Sequence, residues 1–436
     1  MVPVPQFSDR CVLLFATTTG YQTRMFTDAA RRLGVEVVYA TDRCDQLDDP
    51  WRDRAIAVRY HEEARSEVAV IAALASRPVQ GVLVVGDRPS ALAARVAARL
   101  GLPGHPLAAV EAARDKRLTR ERLHAAGLPG PSWFTVAAST DPASLVSRTP
   151  LPAVIKPIVL AASRGVMRAD NPEHFVAAYT RLQRLLASPE IRELRDPAAD
   201  LIQVERYIPG DEYAVEGLME HGTARLLAVF DKPDPLVGPF FEETIYVTPS
   251  RAADDTRRRI EQAVTAAASA LGLRHGPIHA ECRVNPDGVF VLEVAARPIG
   301  GLCAKVLRFI NREGRRIGFE ELLLRHAVGE PTAGWTREPD ASAVMMIPIP
   351  RAGLYRRVDG VEEARSVAGV DEVTITAKPD QRLVPLPEGA SYLGFIFAHA
   401  PTPAEAEHAV REAHQRLRFT IDATIHVVRA KREPTM

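Results

Sequence analysis

The chain has 436 residues, 46% hydrophobic and 25% charged, an ordinary composition for a globular protein of two to four domains. Lys plus Arg equals Asp plus Glu at 55 each, which excludes the global positive field of a nucleic-acid-binding protein and leaves room only for local charge. Four cysteines (Cys11, Cys44, Cys282, Cys303) show no C-x-x-C spacing and read as reduced, mostly buried thiols of a cytoplasmic protein; the first ten residues lack an apolar h-region, and no apolar run approaches the roughly 18 residues of a membrane span.

Residues 11–100 alternate between strand-like and helix-like stretches. CVLLFA (11–16), VEVVYA (35–40) and GVLVV (81–85) are short apolar runs, and 21–33, 63–76 and 89–100 carry helical patterns. Such alternation predicts a parallel, doubly wound sheet. Its first turn holds a single glycine, Gly20, so it is not a dinucleotide fingerprint. GLPGHP (101–106) is a break, and an amphipathic helix starts near Ala109. From there strands and long helices mix. PAVIKPI (152–158) is strand-like, and 171–188 is a helix with an Asn171 cap and Pro172 in its first position. LIQVERYIPGDEYAVEGLM (201–219) reads as two strands around a Pro-Gly turn, and 254–273 as a helix. The last section opens near Ala341 with SAVMMIPIP. It adds a strand-like 392–400, a capped helix beginning TPAEAEHAV and a final strand-like IDATIHVV.

One hairpin carries chemistry. PIHAECRV (277–284) and VFVLEVA (289–295) flank Asn285-Pro286-Asp287-Gly288, which suits a type I turn followed by a left-handed glycine, a three-residue loop. In that register Asn285 faces Val289, Arg283 faces Val291, Glu281 faces Glu293 and His279 faces Ala295. Two carboxylates directly opposed cost on the order of several tenths of a kcal/mol. A shared Mg²⁺, which takes one or two protein carboxylates together with substrate phosphates, would offset that. Arg297 lies on the same face two pairs further along, where a guanidinium would hold a phosphoryl or carboxylate group. Plain ion pairs of Glu281 with Arg283 or His279, and of Glu293 with Arg297, are the alternative, and a one-residue slip would separate the acids.

Four stretches in order, Asp115-Lys116, VIKP (154–157), VERYIPGDEYAVEG (204–217) and HAECRV…VLEVAARPIGG, make residues 110–335 resemble an ATP-grasp enzyme. The resemblance implies an ATP-grasp fold of α/β and α+β class. A Rossmann-like pre-grasp domain would span 1–108 and the ATP-grasp domain 109–335, with a smaller lobe over about 135–205 and a larger one over about 206–335. An α+β lid domain would span 336–436. It implies Lys116 and Lys156 on the phosphates of ATP. Ser163, Arg164 and Gly165 would lie in a loop folding its backbone N–H groups over those phosphates. IVLAA precedes that loop where glycines are usual, which implies a stiffer loop. Glu205 would meet the adenine amino group, Ile208 the ring through its backbone, and Glu212 the ribose hydroxyls. Glu281 and Glu293 would hold Mg²⁺ (or Mn²⁺), although Ala295 stands where many members carry a third ligand, Asn.

ARPIGG, FDKPDPLVGPFFEETIYVTPS (230–250) and the C-terminal section resemble the L-amino-acid ligase branch. That branch implies an ATP-dependent carboxylate–amine ligase working through an acyl phosphate, with small-molecule carboxylate and amine substrates. Arg297 would stabilise the reacting groups, and Lys232, Glu242, Glu243, Gly300 and Gly301 would border the substrate. His279 either borders the metal or is a satisfied strand histidine. The loop 159–165 and the C-terminal domain are expected to close over the site. Carboxylation, formyl-phosphate transfer and non-catalytic nucleotide binding stay open as alternatives, as does a homodimer.

Overall fold

A computed structural model describes residues 10–17, 22–42 and 55–423; Gly20 and Cys44 lie outside them, as does most of the predicted final strand beyond Asp422. Near the N-terminus, Ile56–Ala57, Glu36–Thr41, Cys11–Ala16 and Gly81–Val84 form a sheet in that order, every pair parallel. The strand Cys11–Ala16 is buried at all six positions, which is why it reads as an unbroken apolar run.

The amphipathic stretch expected near Ala109 is two helices, Leu107–Arg114 and Lys116–Ala125. Asp115 breaks them. Its backbone is extended, and its carboxylate accepts the N–H groups of Arg117 at 2.8 Å and Leu118 at 3.0 Å, so it caps the second helix. Lys116 therefore stands in a helix's first turn.

The smaller lobe is an antiparallel sheet ordered Trp133–Ala137, Leu201–Arg206, Ala153–Pro157, Met167–Ala169. The helix Pro172–Leu186 packs on it, capped as predicted by Asn171, which accepts the His174 N–H at 2.8 Å. The strand Asp211–Glu220 belongs to a different sheet. The Pro-Gly turn at 207–210 thus joins the two sheets. Gly210 has φ +127°, and a Cβ there would lie 2.2 Å from the Val284 carbonyl oxygen, so only glycine lets the turn pack against the hairpin.

The larger sheet has eight strands, in the order Gly288–Ala295, Gly276–Asn285, Asp211–Glu220, Thr223–Asp231, Ile245–Thr248, Ala341–Ile347, Gly394–Ala400, Val370–Ile375. Its last three come from the section expected to form a separate lid. Four residue pairs from Ile245↔Met345 to Thr248↔Ser342 join the two parts. One core cluster mixes Val12 and Phe26 with Ala214, Phe230 and Tyr246 and with Val344 and Phe395. Apolar packing is therefore continuous from the N-terminal sheet to the last section, and the hairpin Gly276–Ala295 forms the sheet's edge facing the smaller lobe.

Candidate functional site

The hairpin closes more tightly than its turn chemistry predicts. Asn285 pairs with Gly288, Val284 with Val289, Arg283 with Phe290 and Cys282 with Val291. Asn285 Oδ1 accepts the Asp287 N–H at 2.9 Å, which tightens the loop to two residues. The expected pairs Asn285–Val289 and Arg283–Val291 are therefore corrected. Continued unbroken, this register would set Glu281 against Leu292 and turn the two glutamates to opposite faces. The ladder instead shifts at Leu292, and Glu281 faces Glu293 while His279 faces Ala295, as expected. One bulged residue restores the carboxylate pair.

Around Glu281 the charges are dense. Lys232 Nζ donates to Glu212 at 2.8 Å, Glu243 at 2.6 Å and Glu281 at 2.7 Å, with only 3% of its side chain exposed. His279 Nδ1 lies 2.5 Å from Glu216 Oε1, and its Nε2 lies 3.7 Å from Glu281. Burial would lower His279, but Glu216 and Glu281 push it up to about 9, so it is an imidazolium at neutral pH. Burial and the neighbouring Glu281 push Glu243 up to about 7. Against burial, Lys232 and His279 hold Glu281 well below the usual carboxylate range. Among the described residues nothing hydrogen-bonds or ion-pairs with the Glu293 carboxylate, which borders open space.

Oxygens of Glu212, Glu243 and Glu281 lie within 4.8 Å of one another around Lys232 Nζ, and Glu293 faces Glu281 across the hairpin, so a hard divalent cation fits between Glu281 and Glu293, on the oxygens that Lys232 leaves free. An all-carboxylate set suits Mg²⁺ or Mn²⁺ rather than a softer metal. Lys232 and His279 neutralise part of the charge, which leaves a net negative site.

A second charged centre lies in the smaller lobe. Glu205 is 4% exposed and takes ion pairs of 2.7 Å from both Arg120 Nε and Lys156 Nζ. Burial alone would raise Glu205, yet the two cations hold it at about 2. Burial pushes Lys156 down to about 8; Glu205 opposes this and Arg120 adds to it. Lys116 Nζ donates to the carbonyls of Ile158 at 3.3 Å and Leu160 at 2.9 Å, tying the helix start to the following loop. Arg283 ties the first centre to the turn at 207–210 by donating to Glu212 at 2.8 Å and to the Ile208 carbonyl at 2.7 Å.

A cavity of about 470 Å³ opens between the centres. It gathers Lys116, Lys156, Ser163, Glu205, Ile208, Glu212, Glu243, Glu281, Glu293, Arg297, Gly300 and Gly301, all expected from sequence. Four expected residues do not line it. Lys232 is drawn beneath by its three carboxylates. The Glu242 carboxylate meets the backbone of Ile349. Arg164 makes a bidentate pair with Glu190, at 2.9 Å twice, and donates to the Glu388 carbonyl at 2.7 Å. The Gly165 N–H donates to the Pro387 carbonyl at 2.8 Å, while Arg164 and Val166 donate theirs to Ala161 and Ser163. The expected cradle of phosphate-facing N–H groups is thus largely used within the loop and by the last section. Ala162 and Ser163 have φ of 55° and 54°, conformations that non-glycine residues adopt at a cost.

Arg297 is not an open clamp. It forms a bidentate pair with Asp87, 2.8 and 2.7 Å, and donates to the Pro298 carbonyl at 3.0 Å; two of its five N–H groups remain. Sequence reasoning missed Asp87, Arg120, Glu216 and the rings of Tyr246 and Tyr392 that wall the cavity. Asp87 had a signal, since it follows the carboxyl end of a parallel strand, where open α/β sheets place ligands. Arg120 had one too, at i+4 from Lys116 on the same helix face.

Three family models match the chain: one described as an ATP-grasp domain over residues 149–306, an ATP-grasp N-terminal domain over 27–104, and L-amino acid ligase C-terminal domain 2 over 345–422. The chain resembles the crystal structure of L-amino acid ligase from Bacillus licheniformis with a TM-score of 0.81 and 26% identity, over 95% of this chain and 99% of that one. It is 23% identical to uncharacterized protein y4rH of Sinorhizobium fredii, over 94% of this chain and 83% of that protein. It is 29% identical to an alanine–anticapsin ligase of Bacillus subtilis over 55% of this chain, and that match spans about half, 52%, of the ligase. A likeness of fold extends to phosphoribosylglycinamide synthetase from Anaerococcus prevotii, TM-score 0.65 at 14% identity, over 95% of this chain and 100% of that one.

Proposed function

We propose that the chain, whose residues 149–306 match an ATP-grasp domain, is an ATP-grasp ligase that joins a small-molecule carboxylic acid to an amine, with an amino acid as at least one partner. The observation that carries this reading is one cavity lined by Glu205 and Ile208 together with Glu281, Glu293 and Arg297. ATP would lie along it, its base near Ile208 and Glu205 and its phosphates toward Lys116 and the carboxylates, with Lys156, 2.7 Å from Glu205, reaching the phosphate nearest the base. Mg²⁺ held by Glu281 and Glu293, with Glu212 and Glu243 behind, would supply neutralising charge for the phosphates.

The substrate carboxylate oxygen would then bond to the γ-phosphorus as ADP leaves, giving an acyl phosphate. The amine nitrogen would bond to the acyl carbon, phosphate would leave, and the amine would give up a proton. The two remaining N–H groups of Arg297 would hold the carboxylate, and later the oxyanion that forms from it. Asp87 would keep that guanidinium in place. Water would hydrolyse the acyl phosphate, so the loop at 159–165 and the last section must keep it out; the bonds of Arg164 and Gly165 to the Pro387–Glu388 backbone support that role. We place the reaction in the cytoplasm, where ATP is available and the buried thiols Cys11, Cys282 and Cys303 stay reduced.

The test is a phosphate-release screen over pairs of amino acids, other acids and amines, with mass detection of the product. Amide formed in step with phosphate supports the ligase. Release stimulated by bicarbonate or formate, with amino acids inert, would assign a different ATP-grasp chemistry. Tight ATP binding with no ADP formed under any pair would leave a nucleotide-binding protein.

A further inference from the structure

We infer that Arg120 is the positioning residue of the carboxylate hairpin: it locks the bulge at Leu292 that turns Glu293 toward Glu281. Its guanidinium donates four hydrogen bonds. Nε and Nη2 reach the Glu205 carboxylate at 2.7 and 3.3 Å, Nη1 reaches the Val291 carbonyl at 3.0 Å, and Nη2 reaches the Leu292 carbonyl at 2.9 Å. Arg120 is 3% exposed, so none of these bonds competes with bulk water.

Two successive carbonyls of a regular strand point to opposite sides, one into the ladder and one away from it. Here Val291 and Leu292 both turn to the same guanidinium, at the position where the register shifts. Gly288–Ala295 is the outermost strand of its sheet, so no further strand satisfies those carbonyls. The guanidinium takes that place, and its planar fork spans two acceptors that an ammonium cannot reach together. Without the bulge, Glu293 would face away from Glu281. Arg120 is itself fixed by Glu205, so one side chain ties that carboxylate to the Glu281–Glu293 pair.

This inference rests on the proposed reading for its consequence in catalysis, but not for its structural test. Arg120→Lys keeps a cation for Glu205 and loses the fork. Amide hydrogen exchange on the ligand-free variant is expected to accelerate at 290–294 and to stay unchanged at 276–280. In turnover assays the Mg²⁺ concentration for half-maximal rate should rise by about tenfold or more, the scale on which outer-shell partners act, while KM for ATP at saturating Mg²⁺ stays within about threefold of the parent. Guanidinium ion, and not ammonium, should restore the Mg²⁺ response of Arg120→Ala. A lowered melting temperature with unchanged exchange at 290–294 and an unchanged Mg²⁺ requirement would reduce Arg120 to a stability element and overturn the inference. So would rescue by ammonium as complete as rescue by guanidinium. Should the parent protein release no phosphate with any acid and amine, the ligase reading fails, and the exchange measurement still decides the role of Arg120.

Discussion

Lys156 and Glu205 form a 2.7 Å ion pair whose side chains are 10% and 5% exposed, and Arg120 shares the same carboxylate. Two cations on one anion leave a surplus positive charge in a dry pocket. Burial makes that surplus costly, and Lys156 responds by dropping from 10.5 to about 8. Between those values the folded chain binds fewer protons than the unfolded chain, so this group adds stability as pH rises from about 8 to 10.5 and is indifferent below. A phosphate beside Lys156 would reverse the shift. ATP binding should therefore take up a proton above neutral pH and weaken by up to about tenfold per pH unit above 8. Calorimetry in two buffers of different ionisation enthalpy reads the uptake directly. Lys156→Arg, whose charge is fixed, should bind without it; equal uptake in parent and variant would remove Lys156 from the phosphate site.

Lys232 donates to three partly buried carboxylates at once. Lys232→Met is nearly isosteric and leaves Glu212, Glu243 and Glu281 facing one another. Removing one partner from a buried ionic cluster costs about 3–5 kcal/mol, so a clear fall in melting temperature is expected. Millimolar Mg²⁺ should recover part of it, because the oxygens left behind lie within 4.8 Å of one another. A variant as stable as the parent, or one indifferent to Mg²⁺, would contradict the charge balance described for this site.

Glu293 presents the opposite case. With its carboxylate unengaged among the described residues, Glu293→Gln should change stability by less than about 0.5 kcal/mol, as for a side chain outside any network. Phosphate release should nevertheless fall by about 10²–10³-fold, the scale on which a single electrostatic stabiliser acts. Parent-like turnover would exclude Glu293 from the metal site, and strong destabilisation would mean that it has a structural partner.

Features set by neighbours in the chain could be read from sequence. The Asn171 and Thr402 caps depend on residues one to four positions apart, and both appear; the hairpin turns where expected but through a shorter loop. The glutamate pairing was also legible, but by a route the sequence could not reveal. The loop is two residues, not three, and the bulge that compensates is stabilised by Arg120, 171 positions away. Arg297 was expected to be open because its partner Asp87 is 210 positions distant. Lys232 was expected to border the substrate because the three carboxylates that hold it come from strands and loops not adjacent to it in sequence. The boundary near 335 was implied by the resemblance, and the pairing of Ile245–Thr248 with the strand Ala341–Ile347 across it joins residues about a hundred positions apart, which no local pattern announces. Periodicity reports which face of an element is buried, not which distant charge it meets.

The Arg164 side chain and the adjoining Gly165 N–H tie the loop 159–165 to the last section. The partners are the Glu388 carbonyl at 2.7 Å and the Pro387 carbonyl at 2.8 Å, reinforced by Arg181 pairing with the Glu388 carboxylate at 2.5 Å. Arg164 also pairs with Glu190, which is 71% exposed, so that pair should contribute no more than about 1 kcal/mol. Arg164→Ala should therefore melt close to the parent. Its effect should appear in coupling instead. A loop released from Glu388 admits water, and an acyl phosphate exposed to water is lost by hydrolysis. The ratio of phosphate released to amide formed, near one in the parent, should rise in Arg164→Ala, and rise again when Glu388→Ala is added, because that change removes the carboxylate held by Arg181 and keeps the carbonyl held by Arg164. A ratio that stays near one in both variants would show that the last section does not guard the site through this loop.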